Sequence, residues 1–207
     1  MCNNYEARVE WDQYCRALAE AGLGMPTQAN PDQLPHADDV RVRDEVPVMV
    51  ASGNVVDLVP MTWGFPPEKP GRPPVFNFRS DGRRFVQSRR CLVPASAFFE
   101  FTGTTSPKSK WRFTLDGSPV IAIAALWRED GDRRSFTMLT TAPGPDLVPF
   151  HDRQVAVLAP KDWGHWLYLD RPEVDLLRPL PEGSLRVTLH REGREQPAKD
   201  LLSVVGS

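Results

Sequence analysis

The sequence predicts a β-rich α+β fold. It is a single domain over residues 1–207 with a closed or nearly closed, antiparallel, barrel-like sheet and a few peripheral helices. Three observations carry this expectation. Short runs rich in Val, Ile, Leu and Phe recur along the chain, bounded by Gly, Pro, Asn and Asp. Two of the intervening turns, Ser52-Gly53-Asn54 and Asp116-Gly117, have residues that reach the positive φ of tight hairpins. Helical periodicity is confined to two or three segments. At 207 residues, 41% hydrophobic and 25% charged, the chain is long enough for one domain to bury a substantial core.

Taken in order, residues 6–22 read as a helix. Trp11, Tyr14, Cys15 and Leu18 fall on one stripe at i, i+3, i+4 and i+7, and Gly22 and Gly24 supply stop signals. Cys15 on that stripe is expected to be a small buried hydrophobe. Residues 24–45 carry Pro26, Pro31 and Pro35 among polar residues and read as a loop. Residues 46–50 and 55–59 read as a hairpin, with Pro47 placing its first strand on a sheet edge. Five prolines between 66 and 74 make a stiff surface loop. Strands follow at 90–94 and 97–101. Residues 111–115 and 119–127 read as a second hairpin about Asp116-Gly117, with further strands at 135–141 and 154–158. Residues 160–168 read as a short helix and 184–189 as a last strand. The chain holds no internal repeat and no low-complexity tract.

Composition excludes several function classes. No apolar run approaches the ~20 residues that span a bilayer, and Met1-Cys2-Asn3-Asn4-Tyr5-Glu6 lacks a signal-peptide pattern. Cys2, Cys15 and Cys91 cannot all pair and form no CxxC, which points to a reducing cytoplasm and away from a disulfide framework or a zinc site. His36, His165 and His190 show no ligand spacing, so no metal or other cofactor is expected. The net charge of −2 argues against nucleic acid, but its distribution does not. Residues 69–90 hold seven Lys and Arg against Asp81 alone, a local excess of six that leaves −8 for the remainder. Such a segment is a solvated face or a phosphate footprint.

Four places carry polar chemistry. Removal of Met1 would leave Cys2 with a free α-amine and a thiol on adjacent carbons. Their ordinary pKa values of about 7.7–8.0 and 8.5 leave both partly nucleophilic near neutrality. A 1,2-aminothiol can attack an aldehyde through nitrogen and close a ring through sulfur. Asn77, in Asn77-Phe78-Arg79-Ser80, both donates and accepts hydrogen bonds. Glu100 lies between aromatic residues, where a carboxylate is costly unless paired or protonated, although alternation alone would turn it outward. His151, in Phe150-His151-Asp152-Arg153 ahead of an apolar strand, titrates near neutrality and can move protons. Singly, each has a structural explanation.

Together they form a recognisable set. Cys2 at the terminus, Trp63-Gly64 before a proline-rich loop and Asn77-x-Arg79-Ser80 form its first half. Arg90-Cys91-Leu92-Val93-Pro94-Ala95 running to Phe98-Phe99-Glu100, then His151-Asp152-Arg153, complete it. This set resembles the SOS-response-associated peptidase (SRAP) family over about residues 2–168, while residues 169–207 match poorly. The resemblance implies a β-rich domain with a positively charged groove. It implies a cytoplasmic, DNA-associated repair protein, expected as a monomer, that bonds covalently to abasic sites in single-stranded DNA. In that chemistry the Cys2 amine attacks the C1′ aldehyde of the ring-opened sugar, and the thiol captures the Schiff base as a thiazolidine.

The resemblance places Asn77, Glu100 and His151 in the site with Cys2. His151 would be the general acid for sugar-ring opening and reversal, Glu100 the acceptor of the ammonium proton, and Asn77 a positioning group. Arg79, Arg83, Arg84 and Arg90 would contact phosphates. Trp63 is either a stacking or a packing residue. The chain departs from the family in four places: Cys2-Asn3-Asn4 lacks the usual Cys-Gly-Arg, Arg41-Val42-Arg43-Asp44 replaces an Asn-x-Ala-Pro run, the 66–74 loop lacks a further tryptophan, and Phe78 replaces an alanine. Two other readings stay open: a peptidase or amidohydrolase using Cys2 as an N-terminal nucleophile, and a non-catalytic single-stranded nucleic-acid-binding module.

Overall fold

The computed structural model describes residues 2–24, 32, 34, 36–197 and 201–202. Strands β1 (Asn4–Arg8), β2 (His36–Arg41), β7 (Ala97–Thr102), β8 (Ser109–Leu115) and β13 (Leu185–Arg191) form a five-stranded sheet in the order β13-β8-β7-β1-β2. The second sheet holds β3 (Glu45–Ser52), β4 (Val55–Trp63), β5 (Asn77–Arg79), β6 (Arg89–Ala95), β9 (Ile121–Asp130), β10 (Arg133–Thr141), β11 (Gln154–Val155) and β12 (Val157–Leu158). In it β10 pairs with β4, β4 with β3, β3 with β6, β6 with β9, and β9 again with β10, so the sheet closes into a ring. The ring is antiparallel except where β10 meets β4 and β5, which run parallel to it. Helices α1 (Trp11–Glu20), α2 (Pro160–Tyr168) and α3 (Glu173–Leu176) lie outside it. No helix among the described residues is long and apolar enough to cross a membrane.

Strand alternation divides the core in two. Cys91, Val93 and Ala95 of β6, with Ile121, Ile123 and Ala125 of β9, face the five-stranded sheet and meet Tyr5, Phe98, Trp111 and Phe113. Their neighbours Leu92, Ala122, Ala124 and Leu126 face the other way, onto Tyr14 and Leu18 of α1 and Trp163 and Trp166 of α2. The period of two that marks a strand therefore sorts residues between two packed interfaces.

The structure revises five local expectations. Residues 4–8 are strand, and α1 begins only at Trp11. Glu10 and Gln13 form a capping box at its start, the Glu10 N–H donating to Gln13 Oε1 at 3.2 Å. Cys15 is only half-buried. Pro47 lies in β3, which is flanked by β4 and β6 rather than being an edge; the strand pairs with β6 only at Met49, so Pro47 needs no N–H on that side. Residues 111–115 and 121–130 are not a hairpin. The turn at Asp116-Gly117 carries the chain from the five-stranded sheet to the ring, as Ser96 does between β6 and β7. Part of the expected 24–45 loop is strand β2, while Pro26, Pro31 and Pro35 lie outside the described residues.

The Ser96 crossing is fixed by polar contacts. Its hydroxyl donates to Glu6 Oε1 at 2.7 Å, and Arg112 donates to both Glu6 oxygens at 2.6 and 3.0 Å. Burial raises the Glu6 pKa, but the Arg112 and Ser96 hydrogen bonds outweigh it and hold the carboxyl below its ordinary range. These contacts tie β1, β6, β7 and β8 together where the two sheets diverge. The N-terminus enters at this junction.

Candidate functional site

Cys2 precedes β1 and is fully buried between the two sheets. Because β1 pairs with β7, the start of the chain lies beside the end of β7, where Glu100 sits. Asn77 opens β5, held in parallel register opposite Met138 of β10. Its Nδ2 donates to the Cys2 carbonyl at 2.7 Å. His151 follows a turn in which its N–H donates to the Leu147 carbonyl at 3.1 Å. The preceding Phe150 packs edge-on against Trp111 and Phe113, at 4.8 and 5.3 Å between centroids, which fixes where His151 can reach. His151 Nε2 stands 4.0 Å from Glu100 Oε2. Four residues from four separate segments thus converge.

Burial sets the protonation of the group. Glu100 is 1% exposed, and desolvation pushes its carboxyl up to about 7, against a hydrogen bond from the Cys2 backbone that lowers it. Burial pushes the Cys2 thiol up to about 12, and the Glu100 charge adds to the rise. The thiol donates to the Asn4 carbonyl at 3.0 Å, so at neutral pH it is a protonated thiol and not a thiolate. Burial lowers the His151 pKa from its ordinary value, with Asp152 working in the other direction. In the neutral ring Nδ1 accepts the Arg153 N–H at 3.0 Å, leaving the Nε2 proton on the Glu100 side. The Asp152 carboxylate, 2.8 Å from Nδ1, becomes the partner when the ring gains a proton. A carboxyl titrating near 7 and an imidazole thus stand 4.0 Å apart beside a buried nucleophile. The pair opens onto a cleft of about 590 Å³ lined by Asn3, Glu100, Phe101, Lys108, His151 and Arg191. No group of three His, Cys, Asp or Glu among the described residues is arranged to hold a metal ion.

The arginines and Trp63 behave differently from this quartet. Arg79 is exposed and shares a face of β5 with Asn77. Phe78 points to the opposite face, and the Arg83 guanidinium lies over its ring at 4.6 Å, directing Arg83 away from Cys2. Arg84 lines a separate cleft beside α3 with Glu173. Arg90 is corrected outright as a phosphate contact. Its side chain is 3% exposed, donates to Glu173 at 2.8 Å and lies over the Trp166 ring at 4.3 Å. Trp63 is corrected as a stacking residue for a base. It is fully buried, stacks on Phe136, meets Tyr5 and Phe76 edge-on, and donates from Nε1 to the Phe76 carbonyl at 3.0 Å.

Sequence reasoning missed the cations that do border the site: Arg41, Arg43, Lys108 and Arg191. Arg41 and Arg43 are offset by Asp38, Asp39, Asp44 and Glu45, and Lys108 and Arg191 lie far away in the chain, so no local charge excess marked them. One signal at Arg43 was conformational. It holds φ of 84°, a left-handed conformation uncommon outside glycine, in the turn where the Asp44 N–H donates to the Arg41 carbonyl at 3.0 Å.

Comparison with known proteins places this geometry in a family. Residues 1–189 match the SOS response associated peptidase (SRAP) family. The chain is 31% identical over 178 residues to abasic site processing protein YedK of Escherichia coli, covering 81% of this chain and 79% of YedK. It is 30% identical over 104 residues to abasic site processing protein YoaM of Bacillus subtilis, covering 47% of this chain and 46% of YoaM. The match thus spans about half the length of that relative. Among solved structures, a protein from Bordetella bronchiseptica superposes with a TM-score of 0.70 at 20% identity, covering 92% of this chain and all of that one. A protein from Bacteroides thetaiotaomicron gives 0.69 at 17%, covering 99% of each. These two establish the fold, and the sequence match establishes the family: the chain belongs to the SOS response associated peptidase family.

Proposed function

We propose that this protein acts in repair of abasic sites in DNA, and that it does so by crosslinking to them in single-stranded DNA through Cys2 once Met1 is removed. The observation that carries the proposal is the meeting of Cys2, Asn77, Glu100 and His151 in one place. The names of the relatives, all abasic site processing proteins, support the substrate.

The residues suit the steps. Opening of the sugar breaks the C1′–O4′ bond, leaving an aldehyde at C1′ and a hydroxyl at C4′. Imidazolium His151 delivers a proton to O4′ while the C1′ hydroxyl proton passes to water, and ionised Glu100, titrating near 7, takes a proton from the Cys2 ammonium. The free amine adds to C1′, and loss of one water gives the Schiff base. The thiol sulfur then adds to C1′ while its proton passes to the imine nitrogen, closing the thiazolidine. One water is released overall and nothing is oxidised or reduced. A thiol held well above its ordinary pKa makes nitrogen the first nucleophile and sulfur the second. The same fact weighs against a peptidase reading, which needs a thiolate at the outset. Asn77, fixed to the Cys2 carbonyl, holds the amine in line. Arg79 supplies a phosphate contact on the Asn77 side. All four reacting or positioning groups come from one chain, so the reading needs only a monomer.

The deciding experiment mixes Met1-processed protein with a single-stranded oligonucleotide bearing an abasic site and resolves the products on a denaturing gel. A shifted band with wild type that disappears with Cys2→Ala is expected. No band, or an equal band with Cys2→Ala, defeats the proposal. Intact mass of the adduct, lighter than the sum of its parts by one water, identifies the linkage.

A further inference from the structure

Resting on the proposed function, we infer that Arg191 and Lys108 form a second phosphate grip for the damaged strand, on the cleft over Glu100 and His151. Arg191 lies beyond the stretch that matches the family. It follows a bulge in β13, where the pairing with β8 shifts between Leu189 and Arg191. Arg191 of β13 pairs with Lys110 of β8, which pairs with Phe101 of β7, so these three side chains form a row across one face of the five-stranded sheet. The row passes beside the N-terminus. A second cleft, of about 610 Å³, shares Asn3, Phe101 and Arg191 with the cleft over Glu100 and His151, and it continues to Arg41 and Arg43. The two clefts therefore make one trough across the chain start, with Arg191 at its middle and cations at both ends.

The charges in this trough are not equivalent. Lys110 is mostly buried over the Phe99 ring and pairs with Asp39 at 3.1 Å, and Arg41 pairs with the same carboxylate at 2.6 Å. For Lys108, Arg43 and Arg191 no ion pair is found among the described residues. Arg191 Nη2 instead donates to the Lys108 carbonyl at 3.4 Å, which brings its guanidinium to the loop that carries Lys108.

The chain after β13 builds this wall. Gly193 donates its N–H to Ser109 Oγ at 2.9 Å, and Arg194 donates to the Pro107 carbonyl at 2.8 Å. A Cβ at Gly193 would come within 2.4 Å of the Ser109 nitrogen and 2.6 Å of the Lys108 carbonyl carbon, so only glycine permits this approach. Glu195 then accepts from the Thr104 N–H at 3.0 Å and from its hydroxyl at 2.8 Å. Three successive contacts thus hold the segment after β13 against the loop bearing Lys108. Phe101, half-buried at the junction of the clefts, offers the aromatic surface that single-strand sites combine with such cations.

The test measures equilibrium binding to a single-stranded oligonucleotide carrying a tetrahydrofuran abasic analogue, which has no aldehyde and cannot crosslink. Each lost single-strand phosphate contact lowers the salt slope of log K by about 0.7. Arg191→Gln with Lys108→Gln is expected to weaken binding at least tenfold and to lower the slope by about 1.4. Replacing one phosphate beside the lesion with an uncharged methylphosphonate should reproduce half of that change in wild type and add nothing further in the double variant. Gly193→Ala, which displaces the wall and leaves both charges in place, should weaken binding too. An unchanged slope in the double variant, with unfolding at the wild-type temperature, overturns the inference. A wild type that binds the analogue but never crosslinks the true site defeats the proposed function instead.

Discussion

The quartet around Cys2 and the arginine-rich segment 79–90 were the two most conspicuous features of the chain, and folding treats them in opposite ways. Cys2, Asn77, Glu100 and His151 are isolated in sequence, and strand pairing draws them together. The arginines are neighbours in sequence, and strand and loop geometry disperses them. Arg79 points toward the Cys2 side, Arg83 and Arg84 go to the α3 side, Arg89 pairs with Glu129 at 2.9 Å, and Arg90 turns into the core. Successive residues in a strand face opposite ways, so a charge excess counted along the chain need not become a surface patch. A site is made by topology, and its members need share nothing locally.

The largest effect that could break this contrast is kinetic. Glu100→Gln and His151→Asn should each slow single-turnover crosslinking by about 10²–10⁴-fold, the range for a positioned acid or base. Glu100 must be ionised to accept the ammonium proton, so the rising limb of the wild-type pH profile should carry an inflection near 7, below the one the Cys2 amine gives at about 7.7–8.0. The lower inflection should be absent from Glu100→Gln. Rates by quench and denaturing gel from pH 5.5 to 8.5 check this, and a retained inflection would detach Glu100 from the quartet.

Trp63 comes next, because the two regions disagree about what an aromatic residue does. Buried against Tyr5, Phe76 and Phe136, it should behave as core: Trp63→Ala is expected to cost about 3–5 kcal/mol in urea unfolding. Trp63→Phe should recover most of that and crosslink at the wild-type rate. A base-stacking Trp63 would give the reverse, weak binding with full stability.

The site residues were legible because their chemistry is rare in its setting: a carboxylate between aromatics, a histidine at a strand mouth, a cysteine after the initiator. The strands were legible from period-two alternation, as in Leu92 against Cys91 and Val93. What could not be read was pairing. Asp116-Gly117 has the turn chemistry of a hairpin, yet the choice of sheet for β9 rests on contacts with β6 and β10 that local sequence does not encode. The start of α1 was hidden for a related reason: Tyr5, Ala7 and Val9 alternate as a strand, but the Trp11 to Leu18 stripe extends a helical reading back over them. Arg90 looked like part of a basic patch until Glu173, far along the chain, supplied its partner.

Glu100 also links function to stability. Its folded-state pKa of about 7 exceeds the ordinary 4.5, so the fold prefers the protonated carboxyl. The resulting stabilisation is complete below about pH 4.5 and is lost as pH rises to 7 and beyond. Relative to pH 4.5, wild type should lose up to about 3 kcal/mol by pH 8 from this group, and Glu100→Gln should not. The variant should therefore unfold at higher urea than wild type at pH 8, and their difference should shrink toward acid. A pH-independent difference would mean that Glu100 is ionised throughout and would remove it as a proton acceptor poised at neutrality.

The smallest predicted effect is the sharpest test of the comparison. Arg83→Gln and Arg84→Gln should each change affinity for single-stranded abasic-analogue DNA by less than twofold and leave the salt slope unchanged. Arg83 is held over Phe78 on the face of β5 opposite Asn77, and Arg84 sits beside Glu173 and α3. Arg79→Gln, on the Asn77 face of the same strand, should lower the slope by about 0.7. Three arginines within six positions would then differ in function only through which way the backbone turns them. Equal losses at all three would mean that the strand wraps past α3, and that the local excess of charge, rather than convergence on Cys2, sets the path of the DNA.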